Sequence, residues 1–275
     1  MDHFSPRSVM FAKMLICWSI SGVAIPAQGQ GCVNTTGPCL TAILNAASFE
    51  SGGIAPGELV SLFGTGLGPV QGIQLQATLD NPFPTQAANV EVTFDGTRAP
   101  LVWVQATQIN AVAPWSLIPG KTTQVCVIYN GVLGNCLDSA VTQTSPAVFN
   151  CILTAALNQD GTANSFNNPA PQGSIVSVWA TGLGPITPSE ADGVLVGLPL
   201  PHNVLPVAVT GIYQLGIPFP ITSSMTFNVT YAGPAPGLVA GTSQVNFQVE
   251  AFPSNGMIYI TLPSSQSPPF IIYIQ

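Results

Sequence analysis

Positive charge is the scarcest thing in this sequence. Its 275 residues include four Lys or Arg against eleven Asp or Glu, and charged residues make up 5% of the chain, where roughly 25% is usual for a soluble domain. Arg7 and Lys13 stand near the N-terminus, so only Arg98 and Lys121 serve the remainder. Such a chain has no electrostatic means of gripping a phosphate backbone, which sets nucleic acid aside as a partner. The same shortage counts against anionic membrane surfaces. Histidine is almost as rare: beyond His3 there is only His202, in the proline-rich "LPLPHNVLP". A Ser/His/Asp triad therefore has one base available, and no G-x-S-x-G elbow accompanies it. Helical periodicity is missing too. Beyond the first thirty residues no segment keeps a 3.6-residue apolar period, and none reaches the ~18 uninterrupted apolar residues of a membrane span.

What is present begins with an export signal. Arg7 and Lys13 precede the apolar run "MLICWSISGVAI" (Met14 to Ile25), and "PAQGQG" follows. That charged, apolar, small-residue order predicts a signal peptide over residues 1–30, cleaved between Ala27 and Gly31, and a secreted or cell-surface protein. An uncleaved anchor is the rival. Lipid attachment at Cys32 is a third option, for which Gly29-Gln30-Gly31 is a poor lead-in.

Export bears on the cysteines, because disulfides persist outside the cytoplasm. Five of the six remain once Cys17 leaves with the signal. Cys32 and Cys39 enclose the short loop "VNTTGP". Cys126 and Cys136 flank "VIYNGVLGN", where Asn130-Gly131 is a strong hairpin-turn signal that sets the two nearly opposite on neighbouring strands, allowing one residue of bulge. Both pairs are expected to be bridged, with Cys151 left over. A metal site is the weaker reading, since there is no C-x-x-C pair and the mature chain has one histidine.

A repeat runs through the mature chain. "GELVSLFGTGLGP" (Gly57 to Pro69) aligns without a gap on "GSIVSVWATGLGP" (Gly173 to Pro185), identical at eight of thirteen positions and displaced by 116. Farther on, Ala99-Pro100 and "QIN" (Gln108 to Asn110) match Ala235-Pro236 and "QVN" (Gln244 to Asn246) at a displacement of 136. The second copy therefore carries about twenty extra residues, assigned to "LVGLPLPHNVLP" and "GIPFPITSS". The local signals are strands: "ELVSLF", "NVEVTF", "PLVWV", "TTQVCVIYN" and "LDSAVT" in the first half, then "SIVSVWA", "LPVAV", "MTFNVTY", "SQVNFQV", "GMIYITL" and "FIIYI". In "NVEVTF", Val90, Val92 and Phe94 face one way while Glu91 and Thr93 face the other. The expected fold is all-β, two tandem immunoglobulin-like β-sandwiches over residues 31–150 and 151–275, with a small barrel as the alternative for each. The boundary is placed in Gln143 to Gly161, the first module's last strand ending near Thr142.

These motifs resemble a known family. "NAASF", "IAPGELVSLFGTGLGP", "VTFDGTRAPLVWVQATQINAVAPW", "LNQDGTANSFNNPAPQGSIVSVWATGLGP" and "APGLVAGTSQVNFQV" are similar to the Solibacter-type uncharacterised C-terminal domain family of exported acidobacterial proteins, from about Leu44 to the C-terminus. The resemblance implies an extracytoplasmic β-domain, usually appended to propeller repeats or other surface modules, with no assigned catalytic residues to carry over. The chain departs in having no long upstream region, so the module is expected to stand alone. Its Cys126/Cys136 pair is also unusual for the family.

Sites of chemistry are few. Gly64, Gly66 and Gly68 imitate a dinucleotide loop, but Pro69 stands where a helix must begin and Ala180 replaces the first glycine in the second copy. "PGKTT" (Pro119 to Thr123) leads into a strand and has Trp115 where a P-loop needs its first glycine. Asn158, Asp160, Thr162 and Asn164 offer oxygens at alternate positions, like part of a calcium loop without its closing acid; the competing reading is a turn at Asp160-Gly161. Asp80, Asp95, Asp138, Glu190 and Asp192 are loop acids outside any motif, so paired-carboxylate chemistry has no marked residues. Trp103 and Trp179 lie inside strand patterns and read as core, whereas Trp115, at a strand end in "APWSLIPG", is the better ligand contact. The Gln and Asn of "QIN" and "QVN" are expected to bond loop backbone. Together these predict a non-enzymatic adhesion, structural or protein-interaction module without a cofactor, its partners surface proteins or glycans. The alternative is a carbohydrate-binding or carbohydrate-processing protein; a third is filament assembly through edge strands.

Overall fold

The computed structural model describes residues 37–149, 156–215, 221–250, 256–261 and 270–275. The signal segment, Cys32 and Cys151 lie outside the described residues. The fold is all-β, with no helix among the described residues. None therefore is long and apolar enough to cross a membrane.

The first half contains β1 (Cys39–Asn45), β2 (Leu59–Thr65), β3 (Ile73–Gln74), β4 (Val90–Phe94), β5 (Thr97–Arg98), β6 (Leu101–Val104), β7 (Gln108–Val112), β8 (Thr122–Tyr129) and β9 (Val132–Ala140). They form two antiparallel sheets, ordered β1-β2-β7-β6-β3 and β5-β4-β8-β9. Leu62 and Ile109 of the first sheet share one buried core with Val92 and Val127 of the second, as alternating strands with one apolar face require. In β4 that alternation is direct: Val90, Val92 and Phe94 are buried, while Glu91 turns outward to an ion pair with Arg98 at 2.7 Å. Asn135 of β9 closes the open edge next to β1. Its amide accepts from the Leu40 N–H at 2.7 Å and donates to the Leu40 carbonyl at 2.8 Å, as a backbone partner would.

The β8–β9 hairpin turns through Asn130 (φ 52°) and Gly131 (φ 77°), both in the left-handed region that a two-residue turn of this kind requires. Cys126 and Cys136 stand opposite each other, with the register slipping between Cys126 and Ile128, and the two are joined by a disulfide with Cα atoms 4.4 Å apart. Cys39 is also disulfide-bonded. Replacing Cys126 and Cys136 by Ala should cost about 2.5 kcal/mol of unfolding free energy, the loop-closure entropy of a short ring. Urea denaturation of the double variant measures it, and an unchanged midpoint would contradict it.

The second half contains β10 (Ala147–Val148), β11 (Ala156–Leu157), β12 (Ile175–Thr181), β13 (Ile186–Thr187), β14 (His202–Asn203), β15 (Val209–Leu215), β16 (Ile221–Pro234), β17 (Thr242–Gln248), β18 (Gly256–Thr261) and β19 (Phe270–Ile274). The main sheet runs β10-β12-β17-β16-β15-β18-β19, with β11 also on β12, and β13-β14 form a separate ribbon. The 14-residue β16 pairs with β15 through its first half and with β17 through its second. Val178, Val245, Phe247 and Ile272 are among the residues of its core.

The same pairings recur in both halves. Ser61 stands opposite Asn110 in β2–β7, and Ser177 opposite Asn246 in β12–β17. The register slips between Leu101 and Trp103 on β6, and between Val229 and Tyr231 on β16, against corresponding partners. Parallel bridges join Ile54 to Val141 and Ala170 to Ile274. The Gln and Asn of "QIN" and "QVN" bond each other rather than loop backbone. Gln108 Nε2 donates to Asn110 Oδ1 at 3.0 Å and Gln244 Nε2 to Asn246 Oδ1 at 2.8 Å, because positions i and i+2 of a strand share a face. The Ala-Pro match does not hold in space: Ala99 and Pro100 precede β6, whereas Ala235 and Pro236 follow β16. "LPVAV" lies mostly ahead of β15, and "ITSS", read as insertion, opens β16.

Candidate functional site

The two halves meet through a third apolar cluster. Leu59, Val102 and Val112 from the outer face of the first half pack with Phe149, Trp179 and Val239 from the second. Hydrogen bonds stitch the seam. Leu59 N–H donates to Thr181 Oγ1 at 2.8 Å, whose own hydroxyl donates to the Gly241 carbonyl at 2.8 Å, and Phe83 N–H donates to the Gly193 carbonyl at 2.9 Å. The backbones come so close that a Cβ on Gly241 would collide with the Gly57 carbonyl oxygen.

Beside this seam lies Glu58, 1% exposed. Its carboxyl accepts from Ala55 N–H at 2.7 Å and Asn45 Nδ2 at 2.8 Å, with the Ser145 hydroxyl at 3.4 Å. Asn45 also donates to the Ser145 carbonyl at 2.9 Å, so one polar knot ties the end of β1, the turn before β2 and the segment leading into the second half. Burial pushes the Glu58 pKa up to about 8, against the hydrogen bonds from Ala55, Ser145 and Asn45, which pull it down. A carboxyl that has lost its water is held neutral by the cost of charging it. Sequence reasoning passed over Glu58. Its signal was an acid placed directly before an apolar strand, where the second copy has Ser174.

Next to the knot is a cleft of about 340 Å³ to which both halves contribute: Trp115 and Leu117 from the first, Pro185, Ile186, Ser189 and Glu190 from the second. Trp115 is held there twice. Its backbone N–H donates to Asp192 Oδ1 at 2.9 Å, and its six-membered ring lies over Gly57, filling the space that a Cβ would need. The indole N–H is buried with no hydrogen-bond partner among the described residues. Of the loop acids, Glu190 and Asp192 thus share one loop beside Trp115.

The other sequence candidates take structural places. Trp179 is 6% exposed within the seam, but Trp103, read as core, is only half-buried, its side chain turned to the outer surface of β6 with its ring over Gly72. In the calcium-like loop, Asn164 Nδ2 donates to Asn158 Oδ1 at 2.9 Å and Asn164 Oδ1 accepts from Tyr273 N–H at 2.7 Å. Asp160 Oδ1 accepts from the Thr162 hydroxyl at 2.6 Å and from its N–H at 2.9 Å. The Asn164 oxygen thus ties the loop to β19, and the Asp160 oxygen closes the turn on Thr162. The Thr162 hydroxyl, then the Thr162 N–H, hold the Asp160 pKa below the ordinary aspartate value, so the turn's cap is lost as the pH falls through that lowered value. An NMR titration of Asp160 should show this, and Thr162→Ala should raise the midpoint; an unmoved midpoint would contradict the assignment. His202 is exposed and pairs with Thr187 in the β13–β14 ribbon. In "LFGTGLGP", Gly66 has φ 64° and its counterpart Gly182 φ 72°. The Gly64 and Leu67 N–H groups bond the Thr107 and Ala106 carbonyls, so this is a sealed turn. In "PGKTT", Gly120 turns at φ 83° and β8 follows at once, leaving no helix N-terminus to hold phosphate.

No family model matches the chain, and no curated protein does. Among solved structures it is similar, at 12% identity and a TM-score of 0.20, to the crystal structure of a beta-glycosidase from Bacteroides vulgatus, over 87% of this chain and 25% of that one. The chain thus spans about a quarter of that protein's length, and so slight a likeness supports no inference about activity.

Proposed function

We propose that the chain is an exported, non-enzymatic protein of the Solibacter-type family, made of two tandem immunoglobulin-like β-sandwiches that meet within Gln143 to Gly161, behind a cleaved signal. It acts at the cell surface or outside it in adhesion, structure or protein interaction. The observation that carries this reading is the repeated strand pair, Ser61 opposite Asn110 and Ser177 opposite Asn246. Each copy sits in a half with its own apolar core, and a buried seam fixes the halves together. Two β units docked in this way make a rigid presenting surface. The test is to display the mature chain on a bacterial host. Displaying cells are expected to be retained on protein-coated surfaces at least severalfold better than cells without it. Equal retention on every surface tried would overturn the reading.

Carbohydrate binding is the second reading, because an aromatic wall and a carboxylate meet at the Trp115 cleft. A glycan array hit that Trp115→Ala abolishes would favour it.

A further inference from the structure

We propose that the Trp115 cleft is a receptor for a basic side chain, Lys or Arg, of a protein partner. The proposal deepens the protein-interaction reading and rests on it. The cleft, about 340 Å³, falls within the roughly 300–1,000 Å³ of small-molecule pockets, which is ample for one long side chain. Its walls are mostly apolar, with Leu117 from the first half, Ile186 from the second and Trp115 as the aromatic surface. Glu190 adds a carboxylate to the wall, and Asp192 holds the backbone of Trp115 from the same loop.

This chemistry suits an amphipathic cation. The alkyl stem of Lys or Arg buries itself along apolar walls while its head stays polar. The head is attracted to an indole ring, and a carboxylate within reach adds a charge-assisted hydrogen bond. Anions fit badly, since the two cations outside the N-terminal segment are engaged elsewhere: Arg98 pairs with Glu91 at 2.7 Å, and Lys121 lines a separate cavity with Asp95. A sugar fits less well than a cation. Each hydroxyl withdrawn from water needs a polar partner, and besides the Trp115 indole N–H only Gln143, Ser189 and Glu190 offer polar side-chain groups there. The formal net charge of −7 also draws a basic partner toward the surface. A second copy of this chain is a poor occupant, having almost no cations to offer. The cleft is composite: without the seam that joins the halves, the Trp115 wall and the Glu190 wall part company.

The test is an NMR titration of the full mature chain with acetyl-Gly-Arg-Gly-amide, followed at the Ile186 amide and the Trp115 indole. Its neutral counterpart carries citrulline, which keeps the shape of arginine without the charge. The arginine peptide is expected to bind about tenfold more tightly than the citrulline peptide, on the strength of a cation–π contact and an ion pair. Glu190→Gln should remove that preference, and Trp115→Phe, which preserves an aromatic filler, should weaken binding while leaving the amide spectrum folded. Equal affinity for the two peptides, no response to either, or a response to cellotriose in their place would overturn the proposal. Failure here with retention of displaying cells intact would remove the site and leave the interaction reading standing.

Discussion

Unfolding free energy should fall by on the order of 5 kcal/mol as the pH rises from about 4.5 to about 8, and Glu58→Gln should abolish that fall. The sign follows from the raised pKa. The folded protein keeps a proton on Glu58 that the unfolded chain releases, so its stability is complete below the unfolded value and is lost as the pH passes through the folded one. No cation offsets the cost of charging: the three donors around the carboxyl are the Ala55 N–H, the Asn45 amide and the Ser145 hydroxyl, all neutral. A glutamine side chain at this position would present the same shape without the titration, so the variant should match wild type at pH 4.5 and exceed it at pH 9. Glu58→Ala should be worse than the glutamine variant at every pH, by about 3 kcal/mol, because it strands buried donors. Urea denaturation across this range, wild type beside the glutamine variant, is the measurement. Parallel pH curves for the two would refute the assignment.

Gly241→Ala should cost about 3 kcal/mol and split a single thermal transition into two. The added methyl would collide with the Gly57 carbonyl oxygen and meet Leu59 Cδ1 at 2.8 Å. The leucine can rotate away, but the carbonyl belongs to the turn that feeds β2 and carries Trp115 above it. Relief therefore requires the halves to separate along the Leu59–Trp179 seam. Gly237→Ala is the control. Its φ of 74° makes alanine strained, yet no atom lies within 4 Å of the added carbon, so it should cost about 1 kcal/mol and leave one transition. Calorimetry separates the outcomes, and a single cooperative transition in Gly241→Ala would refute the prediction that this close approach holds the halves together.

The strands that sequence reasoning found were those with period-two alternation and marked ends. β4, β8, β12 and β17 coincide closely with "NVEVTF", "TTQVCVIYN", "SIVSVWA" and "SQVNFQV". The Asn130-Gly131 turn also predicted the Cys126–Cys136 bridge and its bulge, since a tight turn dictates which residues face each other. β7 escaped because all five of its residues are buried. A strand covered on both faces has no alternation to read, and here an asparagine and a glutamine are buried by bonding each other. β16 was read short because proline and serine near its start look like loop, whereas neighbours on both sides supply its hydrogen-bond partners.

By itself the sequence determined what depends on near neighbours: an all-β chain, its hairpin, the repeated strand-and-turn motif, the poverty of cations, and a turn where a phosphate loop was imitated. The tertiary structure decided what depends on residues far apart in the chain. Glu58 became a buried neutral acid only because Asn45 and Ser145, 13 and 87 residues away, close over it. Trp115 became a cleft wall only because Asp192, 77 residues on, fixes its backbone beside the loop that carries Glu190. Alternation and turn chemistry are written in adjacent residues, whereas desolvation and a composite cleft belong to the packing of one half on the other, which no short stretch of sequence contains.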